Sequence, residues 1–286
     1  MRRAVYAGSF YKNNPDTLIT SIEACFKDSL GPGKLPKSST ETEEISPFFL
    51  VPHAGHMYSG PVAASSFLEL SKYKKPETII IIGPNHTGMG SEIAVPDKVE
   101  GWDTPLGTVE IDQGFIEKLM DDCNLVEKND HSHDREHSIE VQLPFIQYLY
   151  DDPPSLVPIA LLNQGYDSSM FLGEVIGKLA AGENIIVLAS SDFTHFESHD
   201  RAKDKDSRVL DAIEKMDPKT MYDIKYKENV SMCGHGPVAA TIEAAKQTGR
   251  DKCKVLNYAT SGDVSGDRSQ VVGYGSAVFY KDKLVL

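Results

Sequence analysis

The chain has 286 residues, 40% hydrophobic and 25% charged, enough apolar material for a sizeable core without help from disulfides or metals. Its 29 Lys and Arg against 42 Asp and Glu leave a net charge of −13, and no lysine-bearing stretch forms a basic patch, which argues against a nucleic-acid partner. The opening "MRRAVYAGSFYKNN" has no apolar h-region, and no apolar run approaches the roughly 20 residues that span a bilayer, so no secretory signal and no membrane association are expected.

An N-terminal helix is expected first. It is followed by "LGPGKLPKSSTETEEIS", Leu30 to Ser46, a Pro-, Gly- and Ser-rich linker to the first core strand, "PFFLVP". "PVAASSFLELSKY" reads as a helix with Pro61 in its first turn, and "TIIIIGP" as a strand buried on both faces. "DQGFIEKLMDD" and "EHSIEVQLPFIQYLY" have helical character, with Pro144 expected to kink or break the second. "SLVPIALL" and "NIIVLASS" are strands around a helix, "SMFLGEVIGKLAA". Three further helices follow in "DSRVLDAIEKM", "DPKTMYDIKYK" and "GPVAATIEAAKQTG". "CKVLNYATS" and "QVVGYGSAVFY" close the chain as strands that can pair antiparallel. The alternation predicts a single α/β domain over residues 1–286, a layered sandwich with a central mixed, largely parallel β-sheet flanked by helices. Four scattered cysteines with no CxxC pair fit a reduced, cytoplasmic protein.

Sites in open α/β sheets form at the carboxyl ends of strands. Three apolar strands run into a histidine there: "FFLVPHAGHMYSG" into His53 and His56, "TIIIIGPNHTG" into Asn85 and His86, and "IIVLASSDFTHF" into Asp192 and His195. One loop histidine is ordinarily a polar surface group. Three at equivalent strand ends point to a shared site, provided the strands are neighbours. Histidine with cysteine or carboxylate suits zinc, iron or copper, and Asp192 is a candidate for orienting a ligand or handling a proton beside His195. HExxH, GxSxG, GxxxxGK[ST] and GxGxxG are all missing, which sets aside zincins, α/β-hydrolases, P-loop NTPases and dinucleotide-binding dehydrogenases. In "NDHSHDREHSIEVQLP", His131 and His133 read as solvated loop residues. His137 begins the helical segment and either caps it or faces the site. Cys233, in "SMCGHGP", reads from local sequence alone as a small inert residue.

Seven blocks in order, "AGSFY", "PHAGHMYSGPVAA", "IIGPNHTG", "EHSIEVQLPF", "ASSDFTHF", "MCGHGPVAA" and "LNYATSGD", resemble the Memo (mediator of cell motility) family over nearly the whole chain. That family is similar in fold to the class III extradiol ring-cleaving dioxygenases, which bind non-haem Fe(II). The resemblance implies a metal site with His53, His86 and Cys233 as ligands. It implies Asp192 and His195 as pocket residues, His195 where a dioxygenase keeps its acid/base histidine, and Phe10 and Tyr58 as aromatic contacts for substrate at the mouth. The dioxygenases use a carboxylate where this chain has Cys233. A thiolate is softer and itself oxidisable, so ring cleavage does not follow from the resemblance. The implied cofactor is one non-haem metal ion, iron or copper first and zinc as the alternative. The leading functional expectation is a metal-dependent oxidoreductase. Its rivals are a non-catalytic protein that handles metal or captures a small-molecule or peptide ligand in the same pocket, and a zinc-dependent hydrolase.

Overall fold

The structure, a computed structural model, describes residues 1–37 and 47–281, so the second half of the expected linker lies outside the described residues. Helix α1 (Pro15–Lys27) starts where the Asn14 side chain accepts from Thr17 N–H and Pro15 occupies the first turn. Strand β1 (Phe48–Val51) is wholly buried and leads through His53 into α2 (His56–Leu70). This helix begins earlier than the sequence suggested. His56 N–H bonds the carbonyl of Phe10, which nucleates the turn at residue 56 and leaves Pro61 inside the helix. There the proline forgoes only the bond to Met57 O.

Strand β2 (Thr78–Pro84) is buried throughout, as its β-branched run requires. Then come β3 (Ile93–Val95), the hairpin β4 (Gly101–Thr104) and β5 (Gly107–Glu110), helix α3 (Gln113–Asp122) and the short β6 (Glu127–Lys128). The helix expected from Glu136 onward is broken. Residues 136–139 are irregular, a 3-10 turn covers Glu140–Gln142, and α4 (Leu143–Leu149) takes Pro144 in its first turn, where a missing N–H costs nothing. The remaining elements are β7 (Ser155–Leu161), α5 (Tyr166–Ala180), β8 (Ile185–Ser190), β9 (Asp192–Glu197), α6 (His199–Glu214), α7 (Pro218–Lys227), α8 (His235–Gln247), β10 (Lys252–Thr260), α9 (Ser261–Ser265) and β11 (Val271–Tyr280).

The main sheet runs β10-β11-β1-β8-β2-β7-β3-β6, with β9 paired to β11. Its centre, β1, β8, β2 and β7, is parallel. The flanks turn antiparallel, where β11 meets β1, β10 and β9, and where β3 meets β7. This is the mixed, centrally parallel sheet expected from the sequence, with helices packed against it. Helices α1, α2 and α4 meet through Phe26, Phe67 and Phe145. Helices α5 and α8 pack backbone to backbone, because a Cβ at Gly173 would lie 2.4 Å from Ala240 O. Among the described residues no helix is long and apolar enough to cross a membrane.

One buried ion pair fastens the N-terminal segment to this framework. The Arg2 guanidinium donates to Glu140 Oε2, to His133 O at 2.6 Å and to Glu136 O at 2.8 Å, and it lies 4.0 Å over the Trp102 ring. Glu140 is fully buried and also accepts from Tyr6 N, Val5 N and the Tyr11 hydroxyl, so its lone-pair sites are filled. His133 is therefore not a solvated residue. Its carbonyl is held by Arg2, and its ring is buried against Trp102. His131 is exposed as expected, paired with Asp134.

Replacing Arg2 with Met strands a buried carboxylate and is expected to cost about 3–5 kcal/mol, read from the urea unfolding midpoint. Breaking the exposed pair Lys178–Glu174 by Lys178→Ala is expected to cost less than about 1 kcal/mol in the same assay.

Candidate metal centre

Strand β8 lies between β1 and β2, so the carboxyl ends that carry His53 and His86 open on the same side of the sheet, one strand apart. The two imidazoles come to 5.2 Å between centroids, and His137 joins them at 5.3 Å from His53 and 4.6 Å from His86. Ligand atoms of His53, His86 and His137 lie within 4.8 Å of one another, a grouping that could hold a metal ion. His137, undecided between capping and facing the site, faces it.

The hydrogen bonds behind the rings fix which nitrogen each one presents. Ser190 Oγ donates to Ser138 O and accepts from Gln142 Nε2, so His53 Nδ1 must donate to it, at 2.9 Å. The Nε2 lone pair of His53 is thereby left toward the pocket. His86 Nδ1 lies 2.9 Å from Glu136 Oε1, and the backbone N–H of His86 donates to Oε2 of the same carboxylate. Burial alone would raise the Glu136 carboxyl, but the hydrogen bond and charge of His86, with His137, pull it down to about 2. An ionised carboxylate accepts only, so His86 Nδ1 carries the proton and its Nε2 is also free. His137 Nδ1 is 3.4 Å from Glu136 Oε1, with its ring stacked on His86 and the Phe10 ring 4.8 Å away between centroids. Burial lowers His53 well below the ordinary imidazole range and brings His137 to about 4, so both are neutral at neutral pH. A neutral ring whose Nδ1 is held, as in His53, turns Nε2 toward the pocket in the form that coordinates a metal, and the donor set fits zinc, iron or copper.

Cys233 approaches from the other side. Its Sγ is 3.2 Å from His53 Nε2 and accepts from Asp192 N–H at 3.2 Å. The cysteine precedes Gly234, the N-cap of α8, and Gly234 permits the approach: a Cβ there would lie 2.4 Å from Ser190 O. Burial and the neighbouring Asp192 push the thiol up, so it is protonated, and the acceptors within its reach are His53 Nε2 at 3.2 Å and Asp192 O at 3.5 Å.

His195 does not come from a loop. It lies on β9, antiparallel to β11, where Nδ1 donates to Ser231 O at 3.1 Å and leaves Nε2 free. Burial lowers it, which keeps it neutral. Asp192 Oδ1 accepts the backbone N–H of His53 at 2.8 Å, and burial raises its carboxyl to about 7 despite that bond. Asp192 thus holds the His53 backbone while His195 is oriented by Ser231. Phe10 packs against His137 and also walls a cleft of about 300 Å³ beside α1 and α2, in which none of the three grouped histidines takes part. Tyr58 lies on the first turn of α2, half exposed. Glu136, Ser190 and Gln142 were not singled out as functional. For Glu136, its adjacency to His137 is the available signal.

Comparison with known proteins follows the same lines. A family model described as Memo-like protein matches residues 2–278. A MEMO1 family protein of Methanopyrus kandleri is 46% identical over 97% of this chain and 98% of its own length. One from Methanocaldococcus jannaschii is 44% identical over 97% and 98%. The crystal structure of an uncharacterized protein of Escherichia coli K12 superposes with a TM-score of 0.58, covering 82% of this chain and 100% of that one. Its 12% identity makes this a likeness of fold.

Because Glu136 orients His86, Glu136→Gln is expected to weaken Zn²⁺ binding about 10- to 100-fold in competition with a chromophoric chelator. Asp134→Asn, which touches only the exposed His131, should leave binding unchanged.

Proposed function

The chain belongs to the Memo family, and from that premise we propose that it is a non-haem metal-binding protein working as a metal-dependent oxidoreductase with iron or copper. The observation that carries this reading is the set of imidazoles whose Nδ1 atoms are engaged behind the rings, with the Cys233 thiol 3.2 Å from His53 Nε2. His53 and His86 would hold the metal, with Cys233 as the soft third donor and His137 as a further nitrogen beside them. When bound, such a metal supplies a Lewis-acidic, redox-capable position open to a ligand.

The chain's own residues then have separable tasks. His195, neutral and with Nε2 free, takes or returns a proton at that atom, while Ser231 O holds its tautomer. Asp192, protonated in part near neutral pH, keeps the His53 backbone in place. Phe10 shields His137 from water, and Tyr58 offers an aromatic contact to a small-molecule or peptide ligand. We place this activity in the reducing cytoplasm, where Cys233 stays a free thiol.

A second reading, metal handling or ligand capture without turnover, is favoured by the same sulfur, because a thiolate beside imidazoles suits tightly held Cu(I). Protein purified without chelators is expected to carry about one iron or copper per chain by elemental analysis, and to consume O₂ with an aromatic or thiol reductant. Bound metal with no O₂ uptake would select the second reading. Zinc alone would point to hydrolysis. Apoprotein that takes up neither iron nor copper under anaerobic reconstitution would sink the proposal. Cobalt substitution tests the sulfur directly: Cys233→Ser should abolish a sulfur-to-cobalt charge-transfer band that His137→Ala retains.

A further inference from the structure

The residue after His195 is held in a backbone conformation that its own side chain disfavours. Phe196 has φ of 59°, in the left-handed region that bulky residues rarely enter. The residue is 73% exposed, so no core packing compensates. The strand register shows how it comes about. Val271 faces Glu197 and the next residue, Val272, faces His195, which leaves Phe196 as the extra residue of a bulge. Bulges of this kind re-aim a side chain.

Both neighbours are pinned. The His195 backbone N–H donates to Ser231 Oγ at 2.7 Å, and its ring donates to Ser231 O. Glu197 is paired with Lys205 at 2.5 Å and with Arg201 at 2.7 Å. Strain persists where the surroundings over-determine it, and here they do so on either side of one exposed aromatic ring. Glycine would adopt this φ freely, yet the position carries phenylalanine. Folding alone therefore gives no account of the ring. Its placement does: the His195 and Phe196 rings stand 5.9 Å apart, inclined at 58°.

We propose that Phe196 is a specificity-determining residue, presented by the β9 bulge to pack against the flat, apolar part of a ligand whose polar head reaches the histidines. This rests on the reading of the pocket as a metal-dependent ligand site. The ligand class it selects is planar or aromatic.

Acetohydroxamate and benzohydroxamate share a metal-chelating head and differ by one ring. Titrated into zinc-loaded wild type, the aromatic probe is expected to bind about 3- to 10-fold more tightly, as one added aromatic contact allows. Phe196→Gly should lose that preference, keep the acetohydroxamate affinity and show a thermal midpoint at or above wild type. Phe196→Tyr should retain the preference. A preference that survives in Phe196→Gly, or that wild type never shows, overturns the role of Phe196 while the pocket reading stands. A lower midpoint in Phe196→Gly makes the ring a packing element and also overturns it. If neither hydroxamate binds zinc-loaded wild type, the pocket reading falls and takes this role with it.

Discussion

A guanidinium removed from water must be met by acceptors on every side, and the way Arg2 is met organises this molecule. Besides the neighbouring Arg3 carbonyl, its partners are the Glu140 carboxylate and the carbonyls of His133 and Glu136, on one irregular segment between β6 and α4. That segment has little regular structure of its own to define its path. The ion pair defines it, since a charge buried without its partner is far costlier than any alternative loop conformation. The same carboxylate gathers Tyr6 and Tyr11, and so sets the N-terminal turn that lays Phe10 against His137. Residues about 130 positions apart are thus fixed together, and the candidate centre lies where they meet.

The imidazoles repeat one design with different materials. A serine hydroxyl holds His53, a carboxylate holds His86, and a backbone carbonyl holds His195, each at Nδ1. Burial lowers His53, His137 and His195, so these rings stay neutral. Sheet order makes the convergence unavoidable, because β8 between β1 and β2 sets two histidine-bearing strand ends beside the one that leads to Asp192.

The central strands and most helices were legible because a buried parallel strand leaves an unbroken apolar run and an amphipathic helix leaves its period. Strand β9 left neither: "DFTHFE" follows β8 after a single residue, with no turn signal between them, and its pairing with β11 is a tertiary fact. The β4–β5 hairpin is too short and mixed to stand out. At the site, His53 and His86 could be read from strand ends alone, whereas Cys233 emerged only through family resemblance. Glu136 was hidden because its partner His86 is 50 residues away, and an HExxH template tests only local spacing. His133 looked solvated among Asp130, Asp134 and Arg135, and its burial is decided by Arg2, which no window around residue 133 contains.

The nitrogen on which these features converge is His53 Nε2. Its tautomer is forced by Ser190, so it presents a lone pair, and the nearest group on one side is the protonated thiol of Cys233. On the other side His137 is braced between His86 and Phe10. A metal drawn to His53 and His86 would compete with the thiol proton for that lone pair, so coordination by sulfur requires the proton to leave. On the proposed reading, the hard, braced nitrogen of His137 and the soft sulfur of Cys233 flank one shared donor. Which of them completes the shell then decides the chemistry. With nitrogen alone the site resembles a hydrolytic or structural one. With sulfur it gains the electron-rich donor that stabilises Cu(I) or a tightly held iron, and the departure from a carboxylate at position 233 becomes the feature that distinguishes this pocket from a ring-cleaving one.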